Sequence, residues 1–312
     1  MRLFNKPKIP IRMSTEGNHT VVDNHWADYT VINRRLKSCN SAKKSADYID
    51  WRFSVYPASI ELWDDVYLKD DEIVLDYGCG PGTDMVAFFL NSNPQKVIGI
   101  DISLKALKFA SKRLSMHGIT SDKVELIRIS DSDNSIPLAD KSIDFIYSVG
   151  VLQHTSNPSA ILGEFHRILK DDGNIWVMVY NRNSIIFHLK VAYRDRILNG
   201  RLANLSIEEA FSKSTDSTDT PISRCYCSSE FADMTSAVKL ESTFLGGYFC
   251  PSELETLRDY GQQALKDSRL GDEHREFLQS LTYDNRGYPL YQGKLAGIGG
   301  LYKMSKVLVD NE

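Results

Sequence analysis

The sequence predicts an α/β protein with a Rossmann-like, doubly wound sheet of seven mostly parallel strands. Between residues 71 and 181, five short apolar segments alternate with amphipathic segments of helical period. Strands that alternate with helices form parallel sheets with both faces covered. The first strand ends in a glycine-rich turn, Asp76-Tyr-Gly-Cys-Gly-Pro-Gly82. A chain of 312 residues with 42% hydrophobic and 25% charged residues has the composition of a globular protein.

The individual elements follow from apolar runs and from helix signals. Strands are predicted at residues 72–76, 96–101, 124–129, 143–148 and 175–180. A helix is predicted over residues 83–90, and Ser103 is placed to cap the next one. Asn157, followed by proline, begins the helix before the fifth strand, and Gly173 is expected to end it.

Ligands of such sheets bind at the carboxyl ends of the strands, so the residues that follow each strand carry the functional prediction. The three glycines after strand one permit a tight turn and a close approach of backbone N–H groups to a ligand. Asp101 ends strand two, 23 residues after Gly78, where a carboxylate accepts hydrogen bonds from ribose hydroxyls. Ile102 is expected to pack on an adenine face. Asp131, after strand three, is the candidate acceptor for the adenine amino group, and Asp133 competes for that role.

The segment Ser148-Val-Gly-Val-Leu-Gln-His154 follows strand four. Gly150 permits a close backbone approach to the ligand. His154 is a candidate general base near neutral pH, and a purely structural role in bracing the pocket is the alternative.

These motifs closely resemble those of the class I S-adenosylmethionine-dependent methyltransferases. The resemblance rests on LDYGCGPG, GIDIS, the strand-three acid, SVGVLQH and EFHRILKDDGNIWVMVYN, and it covers residues of about 55 to 181. It is closest to the type-11, small-molecule group that includes quinone-biosynthesis methyltransferases. Two positions depart from the family pattern: Tyr77 stands where a small or aliphatic residue is frequent, and Gln153 stands where histidine is frequent.

The resemblance implies S-adenosyl-L-methionine as the cofactor. It assigns the glycine turn to the methionine part, Asp101 to the ribose, Asp131 to adenine, and Asp76 to the ordering of the turn near the cofactor's amino group. The full set of expected cofactor contacts is Asp76, Tyr77, Gly78, Cys79, Gly80, Asp101, Ile102, Ser130, Asp131, Val149 and Gly150.

The family fold implies two further strands, one of them antiparallel, for which residues 239–245 and 300–306 are candidates, with a helix over residues 252–267 between them. Four segments are therefore expected. Residues 1–70 form an aromatic-rich helical extension and candidate substrate cap, and residues 71–181 form the cofactor-binding core. Residues 182–235 form an insertion or lid, and residues 236–312 complete the sheet.

The methyl acceptor is expected to contact the extension and the insertion. Candidate contacts are Trp51, Arg52, Tyr56, Asn181, Arg182, His188, Arg224 and Tyr226. Two basic groups suggest an anionic acceptor, with ordinary surface cations as the alternative. They are Arg182, Arg194, Arg196 and Arg201 after strand five, and Arg2, Lys6, Lys8 and Arg12 at the amino terminus.

Charge and cysteine content narrow the function classes. A net charge of −4 argues against a protein that coats nucleic acid. The sequence lacks a long apolar run and a secretory signal, so we expect neither a membrane span nor export. A cytoplasmic location is expected instead. Five cysteines without zinc-ligand spacing predict free thiols and no metal site. A homodimer is compatible with the aromatic amino-terminal segment.

The sequence thus predicts a methyltransferase that acts on a small molecule at oxygen, nitrogen or carbon. A protein methyltransferase and a non-catalytic S-adenosylmethionine-binding module stay open as alternatives. An NAD-dependent oxidoreductase is a remote alternative, because the third glycine of the turn comes one position too early for the dinucleotide fingerprint.

Overall fold

Eight strands form the central sheet of the residues that the computed structural model describes, namely 9–14, 20–28, 32–63, 69–216 and 219–307. The strands are β1 (Ile11–Met13), β2 (Ile73–Tyr77), β3 (Lys96–Asp101), β4 (Val124–Arg128), β5 (Ile143–Val149), β6 (Leu169–Tyr180), β7 (Leu240–Tyr248) and β11 (Gly299–Lys306). Their spatial order is β1-β4-β3-β2-β5-β6-β11-β7. The strands β1 to β6 run parallel, while β11 is antiparallel to both β6 and β7. A small antiparallel sheet holds β8 (Thr282–Tyr283), β9 (Pro289–Tyr291) and β10 (Lys294–Leu295).

The helices are α1 (Val21–Asp28), α2 (Arg34–Lys37), α3 (Ala42–Ser54), α4 (Ser59–Trp63), α5 (Thr83–Asn91), α6 (Leu104–Met116), α7 (Pro158–Ile168), α8 (Ile207–Thr215), α9 (Ser228–Ser236), α10 (Pro251–Lys266) and α11 (Asp272–Gln279). A 3₁₀ turn spans Leu152–His154 and a π-helix spans Ile186–Leu198. Two predicted caps are confirmed. The Ser103 side chain accepts a hydrogen bond from the Ala106 amide at the start of α6, and Asn157 accepts one from Ala160 at the start of α7.

The core lies on both faces of the sheet because neighbouring strand residues point to opposite sides. Val74 and Leu75 are adjacent in β2 and fully buried, yet they belong to different apolar clusters. Leu75 packs with the cluster that includes Phe165 of α7, whereas Val74 packs with the cluster that includes Met85 of α5. Burial on both faces explains why the strands appear in the sequence as continuous apolar runs.

The predicted fold class is confirmed, with two differences in detail. The sheet has eight strands rather than seven, since Ile11–Met13 adds a short parallel strand beside β4. The prediction that Gly173 ends a helix was wrong: α7 ends at Ile168 and Gly173 lies within β6. A glycine is needed there because a Cβ atom would lie 2.8 Å from the carbonyl oxygen of Asp144 on β5.

The elements that follow β6 complete the central sheet and pack around it. The structure has β7, β11 and α10 at the positions expected for the late strands and their intervening helix. Between β6 and β7 the chain forms the π-helix, α8 and α9. Within the described residues, no helix combines the length and apolar character that a membrane crossing requires.

Candidate active site

A cavity lies at the carboxyl ends of β2, β3, β4 and β5. Its empty volume is about 1130 Å³, including the open mouth. Of the expected cofactor contacts, all except Asp76 and Ser130 line it: Tyr77, Gly78, Cys79, Gly80, Asp101, Ile102, Asp131, Val149 and Gly150. From the amino-terminal part, Val22, Trp26, Tyr48 and Arg52 also contribute. This is the position at which open α/β sheets bind their ligands.

The glycine turn forms the floor of this cavity, hereafter the first cavity. The Gly78 amide donates a hydrogen bond of 2.7 Å to the carbonyl oxygen of Ile100, which ties the turn to β3. Gly78 has φ +79°, and a Cβ atom there would lie 2.2 Å from a methyl carbon of Val151. Glycine is therefore required both for the backbone conformation and for the close packing.

Asp101 joins the turn to the start of α6. Its two carboxylate oxygens accept hydrogen bonds from the amides of Gly80 (2.8 Å) and Ser103 (2.7 Å). Burial raises the pKa of Asp101 to about 6, although these backbone donors act in the opposite direction. The Ile102 amide also interacts with this carboxylate. A carboxylate has about four acceptor sites, so Asp101 can still accept from a ligand hydroxyl.

Asp76 lies beneath the turn and is 2% exposed. One of its carboxylate oxygens, Oδ2, has no hydrogen-bond partner among the described residues. Burial, followed by the charges of Asp84 and Asp101, raises the pKa of Asp76 well above its ordinary value, and Arg52 opposes this. An unpartnered buried acceptor is costly unless a ligand donor satisfies it. The ammonium group of S-adenosylmethionine is a donor of the required chemistry.

Three residues predicted in the loop after β4 make different contacts. Asp131 lines the first cavity, and both of its oxygens accept hydrogen bonds from Ser156. Ser130 points elsewhere: its hydroxyl donates a 2.6 Å hydrogen bond to Asp23 of α1. Asp133 accepts from the Ser130 amide at 2.9 Å and does not line the cavity. The geometry therefore favours Asp131 over Asp133 as the ligand-facing acid.

Asp23 is a residue of this region that the sequence did not indicate. It is 1% exposed and accepts hydrogen bonds from the Ser130 hydroxyl and from the Asp131 amide (3.0 Å). These bonds attach α1 to the loop that carries Asp131, and Val22 and Trp26 of the same helix line the cavity. Nothing in the eight-residue sequence of α1 marks Asp23 as a contact to a loop 107 residues away.

A second cavity adjoins the first and has an empty volume of about 1460 Å³. Five residues line both: Trp26, Arg52, Val149, Gly150 and His154. The remaining wall is rich in aromatic side chains, with Phe53, Tyr56, Trp63, Tyr180 and Tyr248. A molecule in the second cavity would therefore meet the ligand of the first across Gly150 and His154.

His154 is 5% exposed at the junction of the two cavities. Its Nε2 atom lies 3.6 Å from Oδ2 of Asp216, whose other oxygen accepts a 2.7 Å hydrogen bond from the Tyr180 hydroxyl. Burial lowers the pKa of His154, while the Asp216 charge opposes this effect. The side chain is thus a neutral imidazole near pH 7, held between the rings of Trp26 and Tyr180.

Two cations line the second cavity, and each is paired with a carboxylate. Arg52 contacts Asp84 at 3.0 Å, and Asp84 itself lines the first cavity. Lys190 of the π-helix contacts Asp195 at 3.1 Å. Asp195 also pairs with Arg194, so the charge of Lys190 is only partly offset by it, and the Asp216 carboxylate in the cavity wall adds a negative charge.

Of the expected acceptor contacts, the structure places Arg52 and Tyr56 at the second cavity. The other six line neither cavity, because each is engaged elsewhere. Trp51 stacks against Arg35, Asn181 donates to Gly297, Arg182 pairs with Glu230, His188 bonds to His274, Arg224 donates to Thr155, and Tyr226 packs against Phe231.

The described members of the basic groups that suggested an anionic acceptor also lie outside the two cavities. Arg194 pairs with Asp195, Arg196 donates to the Leu205 carbonyl, and Arg201 is exposed. Arg12 pairs with Glu125 at the sheet edge. Arg2, Lys6 and Lys8 fall outside the residues that the structure describes. The second cavity is lined instead by residues that the sequence did not indicate, above all Trp26, Tyr180, Lys190 and Asp216. They come from segments that are far apart in sequence and that the fold brings together.

Comparisons with known proteins agree with this arrangement. A methyltransferase-domain family matches residues 68–227 of the 312. The chain is 31% identical over 125 residues to a ubiquinone biosynthesis O-methyltransferase of Thiobacillus denitrificans, covering 40% of this chain and 51% of that protein. It is 36% identical over 108 residues to an uncharacterised 37.1 kDa protein in transposon Tn4556 of Streptomyces fradiae, covering 34% and 30%. The chain thus matches about a third to a half of the length of these relatives.

The fold matches that of one chain in a solved Haloferax volcanii complex that contains the Trm112 methyltransferase activator, with a TM-score of 0.51 at 15% identity. The match covers 87% of this chain and 96% of that chain. Together, the family match, the fold and the first cavity assign S-adenosylmethionine as the cofactor. The chain belongs to the methyltransferase-domain family of class I S-adenosylmethionine-dependent proteins.

Proposed function

We propose that the chain transfers the methyl group of S-adenosylmethionine to a hydroxyl oxygen of a small, neutral, aromatic acceptor. The observation that carries this proposal is the second cavity, whose aromatic wall meets the first cavity at His154. Aromatic side chains favour stacked or edge-on aromatic ligands. The pairing of Arg52 with Asp84 and the carboxylate of Asp216 in the cavity wall support a neutral acceptor rather than an anionic one.

The first cavity offers complementary groups for each part of the cofactor. Asp76 would accept from the ammonium group of the methionine part, and Arg52 would face its carboxylate. Asp101 would accept from the ribose hydroxyls, and Asp131 would accept from the adenine amino group. When bound, S-adenosylmethionine supplies an electrophilic methyl group on a sulfonium. Gly150 would leave room for that group at the junction of the two cavities.

His154 would remove the proton of the acceptor hydroxyl. Its neutral form is the form that accepts a proton, and the nearby Asp216 carboxylate would stabilise the resulting imidazolium. The two cavities would hold the reacting atoms in line, and such alignment alone can lower a barrier by up to roughly 7–11 kcal/mol. The aromatic wall would also exclude water from the reacting oxygen.

The proposal is tested with S-adenosylmethionine labelled in its methyl group. The full chain is incubated with a cell extract, and the products are separated by mass, with boiled protein and the Asp101→Asn variant as controls. We expect label in low-mass aromatic hydroxyl compounds, absent from the boiled control and reduced in Asp101→Asn, and mass spectrometry of that fraction identifies the acceptor. Label in protein or nucleic acid would overturn the proposed acceptor class. No label above the controls, despite measured cofactor binding, would favour a non-catalytic binding module.

A further inference from the structure

Three side chains that can bind a metal ion lie together on the π-helix and α11, outside both cavities. Potential ligand atoms of His188, Glu273 and His274 lie within 4.8 Å of one another. The Nδ1 atoms of the two histidines are 3.0 Å apart. Two imidazoles and a carboxylate form a donor set that suits Zn²⁺ and related transition metals.

Both histidines of the group are buried: His188 is 3% exposed and His274 is 8% exposed. An ion between them would be partly shielded from water, while the exposed Glu273 would leave one side of it open to solvent.

The short contact between the two Nδ1 atoms requires that one of them carries a hydrogen in the metal-free chain. No second hydrogen bond locks that arrangement at His188, because its Nε2 atom has no partner among the described residues. Moving the proton of His188 to Nε2 therefore breaks no other bond. The resulting tautomer presents a lone pair on Nδ1, which is what a metal ion at this position needs.

The spacing also fits a tetrahedral ion with small adjustment. Zn–N bonds of about 2.0–2.1 Å place two ligand nitrogens about 3.3 Å apart, so the pair must open by only about 0.3 Å.

Nearby charges nearly balance, since Arg182 and Arg196 are offset by Glu208 and by the ligand Glu273. We propose that His188, Glu273 and His274 bind a divalent transition-metal ion of the Zn²⁺ class, with a fourth position open to water.

Such an ion would connect two distant parts of the chain. His188 and His274 are 86 residues apart in sequence, and Ile186 and Lys190, on either side of His188, line the second cavity. The ion would fix the π-helix against α11 and thereby stabilise this wall of the cavity. This inference does not rest on the proposed methyl acceptor, because it concerns residues outside both cavities.

The test uses the full chain after removal of metals by a chelator. Calorimetric titration with Zn²⁺ is expected to give one ion per chain and a rise in the melting temperature. Co²⁺ is expected to give the visible absorption bands of a tetrahedral site. His274→Gln and Glu273→Gln should each weaken Zn²⁺ binding at least tenfold, whereas Glu276→Gln, an exposed carboxylate on the same helix, should not.

Circular dichroism of each variant establishes that the fold is intact. Stoichiometric Zn²⁺ binding that is lost only in the two cluster variants would support the site. Equal Zn²⁺ affinity in the wild type and in His274→Gln would overturn it. The absence of saturable binding and of Co²⁺ bands in the wild type would overturn it equally, without reference to any variant.

Discussion

The Nδ1 atom of His154 lies 2.8 Å from the carbonyl oxygen of Ile222. Because a carbonyl oxygen only accepts hydrogen bonds, Nδ1 must carry the hydrogen of the neutral ring. The lone pair is then on Nε2, the atom that lies 3.6 Å from Asp216. Ile222 therefore sets the tautomer that a base at the junction of the two cavities requires.

We expect His154→Gln to lower kcat by about 100-fold, with a much smaller effect on cofactor affinity. Burial lowers the pKa of His154, so the neutral base is present at pH 7. As the pH falls from about 6.5 through this lowered pKa, protonation removes the base and the wild-type rate should decline. A pH–rate profile of both proteins measures this, and the same acidic decline in His154→Gln would contradict the assignment.

Asp216→Asn provides the matched comparison. The Asp216 carboxylate raises the pKa of His154 against the effect of burial. Its removal should shift the acidic decline of the rate to lower pH and reduce the maximal rate, because the imidazolium loses its partner. An acidic decline that stays at the wild-type position would show that the two side chains are not coupled.

Substitutions of Asp131 and of Asp133 should have different effects on cofactor affinity. Asp131 lines the first cavity, whereas Asp133 holds the Ser130 amide from outside it. We expect Asp131→Ala to weaken S-adenosylmethionine binding by about tenfold, the size of one hydrogen bond to a charged group. Asp133→Ala should affect the melting temperature more than affinity. Calorimetry and thermal melts measure both, and a larger affinity loss in Asp133→Ala would reverse the assignment.

Cofactor binding should release a proton from Asp76. Burial and the charges of Asp84 and Asp101 raise the pKa of Asp76, so in the free chain this carboxyl keeps its proton to higher pH than an ordinary one. The cofactor's ammonium group favours the ionised acid, so affinity should rise with pH up to this raised pKa. Calorimetry in pairs of buffers of different ionisation enthalpy, repeated over a pH series, counts the proton and finds the pH at which its release is largest. An undiminished release in Asp76→Asn would contradict this origin.

Glu253 should be important for stability. This fully buried side chain accepts hydrogen bonds from the backbone amides of Cys250 (2.7 Å), Ile298 (3.2 Å) and Ile186 (3.3 Å). The amide group of Glu253→Gln would oppose at least one of these donors and leave it unsatisfied. Denaturant unfolding should show a loss of about 2 kcal/mol. The exposed Glu255→Gln serves as the control and should change stability by less than about 0.5 kcal/mol.

Local patterns predicted the parts of the protein that depend on nearby residues. The strands β2 to β6, the caps at Ser103 and Asn157, and the glycine turn are of this kind. The strand β1 was missed because three residues carry too little periodicity. The position of Asp101 could be predicted because a strand end and its glycine turn are linked through one helix crossing.

The second cavity could not be predicted, because its wall joins segments far apart in sequence. Trp26 of α1 and Asp216 at the end of α8 both meet the His154 region only in the folded chain. The arginines after β6 are close in sequence, yet Arg194 and Arg196 engage Asp195 and Leu205 instead of a shared ligand. Nearness along the chain is a poor guide to a shared site when the segment folds on itself.

The most direct test is the affinity of the wild type and of Asp101→Asn for S-adenosylmethionine, measured by calorimetry. Asp101 lies between the Gly80 and Ser103 amides in the wall of the first cavity. Asparagine keeps one acceptor oxygen for the backbone but cannot accept two ribose hydroxyls. We predict a loss of at least tenfold in Asp101→Asn, with circular dichroism unchanged. Equal affinity in the two proteins would contradict the cofactor site on which the proposed methyl transfer depends.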